Sequence, residues 1–138
     1  MDRDDAGEHI EPRKELDELA QQVIGATIEV HRHLGPGYLE NVYEEAMAIE
    51  FGLRGISFER QVPVSLDYKG HKVGEGRLDF LVNGELLVEL KAVETLVPLH
   101  KAQVISYLRA TGLHLPLLID FNVLALRAGI RRIVLSSS

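Results

Sequence analysis

The chain contains no cysteine, which excludes disulfides, thiolate zinc sites, iron–sulfur clusters and cysteine nucleophiles. It also lacks any apolar run near the roughly 18 residues that a membrane span requires. The N-terminus is acidic, without the basic and apolar regions of a signal peptide, so a cytoplasmic location is the expectation. Bases are outnumbered, 15 Lys and Arg against 21 Asp and Glu, for a net charge of -6. That deficit is local: residues 1–18 hold eight acids and three bases, which leaves the other 120 residues at -1. Overall charge therefore neither favours nor excludes a polyanionic ligand. Internal repeats and low-complexity tracts are absent too. What remains is a chain of 138 residues, 46% hydrophobic, enough for one soluble domain with a proper core.

Residues 1–13 carry few apolar side chains and many charges, and are expected to form a disordered acidic tail ahead of a single domain at 14–138. Leu16, Leu19, Ala20, Val23, Ile24 and Ile28 recur at helical spacing, predicting a helix that ends before Gly35-Pro36-Gly37. A second helix is predicted from Leu39 to Leu53, with Gly55 as its stop. The period then becomes two: Val62, Val64, Leu66 and Tyr68 mark a half-buried strand, and Pro63 places it at a sheet edge. Lys69-Gly70 offers a turn into a strand over Val73–Val82, and Asn83-Gly84 a turn into a strand over Glu85–Ala92. Residues 98–111 read as a helix opening at Pro98 and closing before Gly112. The apolar run Leu115–Phe121 fits a strand covered on both faces, and Ile130–Leu135 a final strand, with Ser136–Ser138 frayed. This order predicts an α/β domain with a central mixed sheet flanked by helices.

Three charged side chains interrupt the apolar strands around Asn83-Gly84: Asp79, Glu89 and Lys91. Charge is costly to bury alone, so these must be paired, solvated or bound to a metal. Glu89 and Lys91 are two apart and share one side of their strand. Two carboxylates can hold a magnesium ion and leave positions for water and phosphate, and a nearby Lys can position the water and offset developing charge. Taken alone, Glu-x-Lys on a strand is most often plain surface. The neighbours Leu86, Leu87, Val88 and Leu90 speak instead for a central strand.

Asp79, nine residues and then Glu89-Leu90-Lys91 resembles the core motif of the PD-(D/E)XK nuclease superfamily, the restriction-endonuclease-like fold. Gln103-Val-Ile-Ser-Tyr107 is similar to the Gln-x-x-x-Tyr element of its lambda-exonuclease-like and RecB-like branches, and Gly37-Tyr-Leu-Glu40-Asn-Val-Tyr43 spells the signature of the GxxExxY proteins within that superfamily. The resemblance spans roughly Leu19 to Leu135. It implies a nuclease cutting phosphodiesters, of DNA first, with Mg2+ or Mn2+. Asp79, Glu89 and the Leu90 carbonyl would bind the metal, and Lys91 would serve the attacking water. Glu40 would add an acid to the metal site or its surroundings. Gln103 and Tyr107, on one helical face, would contact the substrate phosphate or brace Lys91. Arg77-Leu78 stands where the superfamily's namesake Pro would precede Asp79. Small cores of this kind often act as homodimers or with a protein that supplies specificity.

Each assignment has a plainer counterpart. Glu40 sits in a first helical turn, where a carboxylate meets the helix dipole favourably. Tyr43 reads as core, while Gln103 and Tyr107 suit structural hydrogen bonds equally well. His31 and His33 lie near a helix end and fit the C-terminal dipole, with His31 a further candidate for the metal's surroundings. Arg131 and Arg132 suit a solvated strand or phosphate contacts. A non-catalytic module binding nucleic acid or protein on the same fold is the rival reading, and a hydrolase of small phosphate esters would need a closed pocket. The hairpin supplies a test. A two-residue turn at Asn83-Gly84 would pair Asp79 with Val88 and point the two acids to opposite faces. The metal site therefore predicts an odd loop, for instance 83–85, or a bulge, with Asp79 opposite Glu89.

Overall fold

The computed structural model describes residues 14–113 and 115–133; the expected acidic tail and frayed end lie outside them. Helix α1 runs over Lys14–Leu34 and α2 over Glu40–Leu53, followed by β1 (Phe58–Tyr68), β2 (His71–Val82) and β3 (Leu86–Lys91). Helix α3 (Pro98–Thr111), β4 (Leu117–Asp120), a 3-10 turn (Leu126–Gly129) and β5 (Ile130–Arg132) complete the order. The five strands form one sheet in the order β1-β2-β3-β4-β5. Only β3 and β4 pair in parallel, as a strand–helix–strand crossover through α3 requires. The predicted mixed sheet flanked by helices is the observed one, and β1 with Pro63 does lie at its edge. Strand β1 starts earlier than the alternation announced, at Phe58. Strand β5 is described only to Arg132; Val134 and Leu135 lie outside the described residues.

Helices α1 and α2 cover one face. Ala20, Val23, Tyr43, Met47 and Phe51 bury there against Phe80, Val82, Val88, Leu90 and Ile119. Helix α3 covers the other, setting Val104, Tyr107 and Leu108 on Val64, Leu78, Leu87 and Leu118. Every residue of β4 is buried, the expected mark of a strand covered on both faces. Between the two first helices the chain turns at Gly35 and Gly37, both at positive φ, and the Tyr43 hydroxyl closes the turn by donating to the Gly35 carbonyl at 2.6 Å. Tyr43 itself stacks on Phe121 with centroids 4.4 Å apart, so it is core, as its burial requires. Helix α3 opens at Pro98, with His100 Nδ1 accepting the Val97 N–H, and ends on Gly112 at φ 77. No helix among the described residues is long and apolar enough to cross a membrane.

The hairpin of β1 and β2 changes faces halfway along. Phe58, Phe80 and Val82 pack toward α1 and α2, whereas Val62, Val64, Leu66 and Leu78 pack toward α3. Ladder pairs run Arg60 with Phe80 and then Val62 with Leu78. Gln61 and Asp79 stand opposite each other at the changeover. Gln61 has φ 51, a left-handed conformation that costs a non-glycine residue about 1–2 kcal/mol. Its amide donates to Glu44 Oε1 at 2.8 Å, and Arg60 reaches the same Glu44 and Glu45. Side chains from α2 therefore hold the kink in place.

Candidate active site

The turn between β2 and β3 decides the site's geometry. Val82 pairs with Leu86, Leu81 with Leu87 and Phe80 with Val88. The loop is thus residues 83–85, the odd number that the metal site demanded, and continuing the register brings Asp79 opposite Glu89. Asn83 takes φ 54 and Gly84 φ 69 to make the turn. At Asp79 the ladder stops and side chains take over. The Asp79 N–H donates to Glu89 Oε2 at 2.8 Å, and the Leu90 N–H donates to Asp79 Oδ2 at 2.7 Å. Beyond this exchange β2 continues paired with β1, while β3 continues alongside β4 as far as Lys91 and Asp120. The strands part, and the two carboxyl groups lie at the apex of the opening.

Lys91 follows on the same side of β3 as Glu89 and gives a hydrogen bond to Gln103 Oε1 on α3, at 3.3 Å. Gln103 thus stands within hydrogen-bond reach of the lysine. The Tyr107 ring lies over Gly76 of β2, where an added Cβ would come within 2.6 Å of the ring edge. It ties the outer part of the hairpin to α3, and that close approach is why β2 carries a glycine there. Glu40, in the first turn of α2, lies near enough to feel the charges of Asp79 and Lys91.

The charges of these groups act on one another. Burial, and then the charge of Asp79, pushes the Glu89 carboxyl up to about 8, with the Asp79 N–H and Lys91 pulling it down. Asp79 is raised by burial and by Glu44, against its bond from Leu90 and the pull of Lys91. Glu40 is raised by partial burial and then by Asp79, with Lys91 opposing. Three acids each held above their ordinary range, with one ammonium among them, make a site short of positive charge.

Among the described residues no three acidic or histidine side chains are gathered as a ready metal shell. Asp79 and Glu89 each accept a backbone N–H across the opening with one oxygen. The donor chemistry still fits a hard divalent cation, because carboxylate oxygens with unbalanced charge are what magnesium and manganese select. Asp79 and Glu89 could hold such an ion with Glu40 beside them; Leu90 contributes its backbone position.

His31 lies elsewhere in role. Its Nε2 bonds the Val123 carbonyl at 2.8 Å and its ring sits 6.4 Å from Phe121, fastening α1 to the loop after β4. His33 pairs with Glu29 on the surface. Arg131 is folded back on the Ala128 and Ile130 carbonyls, and Arg132 pairs with Asp17. Sequence reasoning missed two acids. Glu44 lies four residues after Glu40 on the same helical face, a spacing that could have revealed it; it acts on both Asp79 and Glu40. Asp120 ends an apolar strand in register with Lys91, 1% exposed, and accepts the Val93 and Asn122 N–H groups. It clasps the chain where it leaves β3 and β4.

A mixed five-stranded sheet between helical layers, opening where Asp79 and Glu89 meet beside Lys91, is the restriction-endonuclease-like arrangement. The sequence model of the PD-(D/E)XK nuclease superfamily matches residues 17–133, and the chain belongs to that superfamily. No curated protein and no solved structure matches the chain.

Proposed function

We propose that this protein is a metal-dependent nuclease that hydrolyses phosphodiester bonds, with DNA as the substrate. The observation that carries the reading is the facing of Asp79 and Glu89 across β2 and β3, with Lys91 on the Glu89 side. Asp79, Glu89 and the Leu90 carbonyl would hold Mg2+ or Mn2+, with Glu40 beside them. Such an ion, when bound, polarises the phosphoryl group and lowers the pKa of a nearby water. The rest falls to this chain's own side chains. Lys91 orients the attacking water and offsets charge gathering on the phosphoryl oxygens. Gln103 keeps the Lys91 ammonium at the opening rather than in solvent. Water adds to phosphorus, the bond to the leaving sugar oxygen breaks, and the products carry a phosphate and a hydroxyl, with no covalent intermediate.

The surroundings of Lys91 favour a polymer over a small ester. An open groove of about 420 Å³ runs beside it, lined by Leu99, His100, Ala102, Gln103 and Ser106. A small phosphate ester would call for an enclosed pocket. The Gly37-Tyr-Leu-Glu40-Asn-Val-Tyr43 and Gln103-x-x-x-Tyr107 motifs support placement with the GxxExxY proteins, on the lambda-exonuclease-like and RecB-like side of the superfamily. A cytoplasmic enzyme acting as a homodimer, or with a specificity-giving partner, suits so small a core.

The test is incubation of labelled DNA with Mg2+ or Mn2+ and either the natural protein or Lys91→Ala. The natural protein should cut, and Lys91→Ala should cut at least about a hundredfold more slowly, the lower end of what a positioned acid–base group contributes. Equal cutting by both overturns the assignment. Binding without cutting by the natural protein would instead indicate a non-catalytic module on this fold.

A further inference from the structure

The charges of this chain are divided by position as well as by number. Residues 1–97 carry ten bases and twenty acids, a net of -10. Residues 98–138 carry Lys101, Arg109, Arg127, Arg131 and Arg132 against Asp120 alone, a net of +4. Asp120 is buried and bonded to backbone N–H groups, so it cancels little of this at the surface. Among the described residues α1 and α2 hold eight acids and lie on one face of the sheet, while α3 holds none and lies on the other; of the later cations, Arg132 is paired with Asp17 of α1.

On the α3 face a second cleft opens, about 290 Å³ in volume, on the far flank of α3 from Gln103. Leu96, Pro98, Leu118 and Ile133 form its apolar floor, and Lys101 and Arg131 stand at its rim. Arg131 is prepared for a ligand. One guanidinium nitrogen, Nη1, is anchored on the Ala128 and Ile130 carbonyls, which fixes the head group at small entropic cost while its charge is matched by no acid among the described residues. Lys101 is exposed and makes no ion pair among the described residues. The first turns of α3 are all that separate this cleft from the groove at Lys91, since His100 and Ala102 line the one and Lys101 the other.

We infer that this cleft, with Lys101 and Arg131, seats the sugar–phosphate backbone of the nucleic acid beside the cut, the strand crossing the N-terminal end of α3 on its way from Lys91. The inference rests on the nuclease reading for what lies at Lys91, but not for the binding itself. The positive end of the α3 dipole faces the crossing strand and adds to the attraction. The protein's net negative charge is thereby reconciled with a polyanionic ligand: away from the acids at the opening, the strand meets Lys101 and Arg131 on the α3 side.

The experiment is binding without cleavage. Fluorescein-labelled DNA, single-stranded and duplex, is titrated with protein in EDTA, and anisotropy is followed at several salt concentrations. Lys101→Glu and Arg131→Gln should each weaken binding about tenfold at low salt and reduce the slope of log affinity against log salt by about one. Lys72→Glu, at the far end of the β1–β2 hairpin, should change neither. Thermal melts of all three confirm folding, and Lys101→Glu stands alone if loss of the Arg131 anchors unfolds β5. No measurable binding by the natural protein, or equal loss in Lys72→Glu, overturns the inference. Because metal is absent, a protein that binds through this cleft but never cuts would refute the nuclease reading alone; cleavage whose KM ignores Lys101 would refute this one alone.

Discussion

Glu89 is 4% exposed and meets Asp79 across the parting of β2 and β3. Burial first and the neighbouring negative charge second lift its carboxyl to about 8, so in the absence of metal it holds a proton through neutral pH. Its folded pKa lies above the ordinary 4.5, and the sign follows from that. The metal-free fold gains stability from this proton fully below 4.5 and loses it as pH rises toward 8. Melting in EDTA should therefore show a midpoint that falls between about pH 5 and pH 8.5, with the fall reduced in Glu89→Gln. Added Mn2+ should raise the midpoint more at the alkaline end, where the cation replaces the proton. An identical pH profile for Glu89→Gln would refute the assigned burial. At this scale the sequence was informative about identity and silent about partners. Asp79, Glu89 and Lys91 stand out because charge interrupts an apolar strand, whereas nothing in a row of letters says that Gln103 goes to the lysine while Tyr107, one turn on, goes to Gly76.

Among the elements, the β1–β2 hairpin decides whether a site exists. The register could be argued from the chain, because side chains alternate and only an odd loop or a bulge brings two acids 10 positions apart onto one face. The change of faces could not. It depends on Gln61 adopting φ 51, which no propensity of Gln announces, and on Glu44 and Arg60, which come from different elements. The kink sits opposite Asp79, where the regular ladder gives way and the Asp79 N–H turns to Glu89. Gln61→Gly should keep the left-handed backbone, and with it metal affinity. Gln61→Val should cost about 1–3 kcal/mol of stability and weaken Mn2+ binding at least several-fold by straightening the strand. Melting and metal titration of the two variants check this; equal metal affinity in both would mean that the kink does not position Asp79. The helices were easier to read, since α1, α2 and α3 each begin and end near their periodic and capping signals.

Over the whole molecule, an α/β sandwich divides two chemistries between its faces. The side of α1 and α2 contributes the larger core cluster, Glu40 and half of the acids among the described residues, and the side of α3 contributes the contact to Lys91, the groove, Lys101 and Arg131. The opening between β2 and β3 lies where these two sides meet, so the same parting of strands that exposes the acids also lets a phosphate approach from the basic face. Total charge concealed this, because the acids are concentrated before residue 98 and the cations after it. Mn2+ titration of the metal-free protein, followed by loss of the free-ion paramagnetic resonance signal, tests the centre of the account most directly. One site should appear in the natural protein and in Lys91→Ala, and be lost or weakened at least about tenfold in Asp79→Asn and in Glu89→Gln, since each removes a charged oxygen ligand. Uptake that is absent from the natural protein, or unchanged in both carboxylate variants, contradicts a shared cation between the two acids.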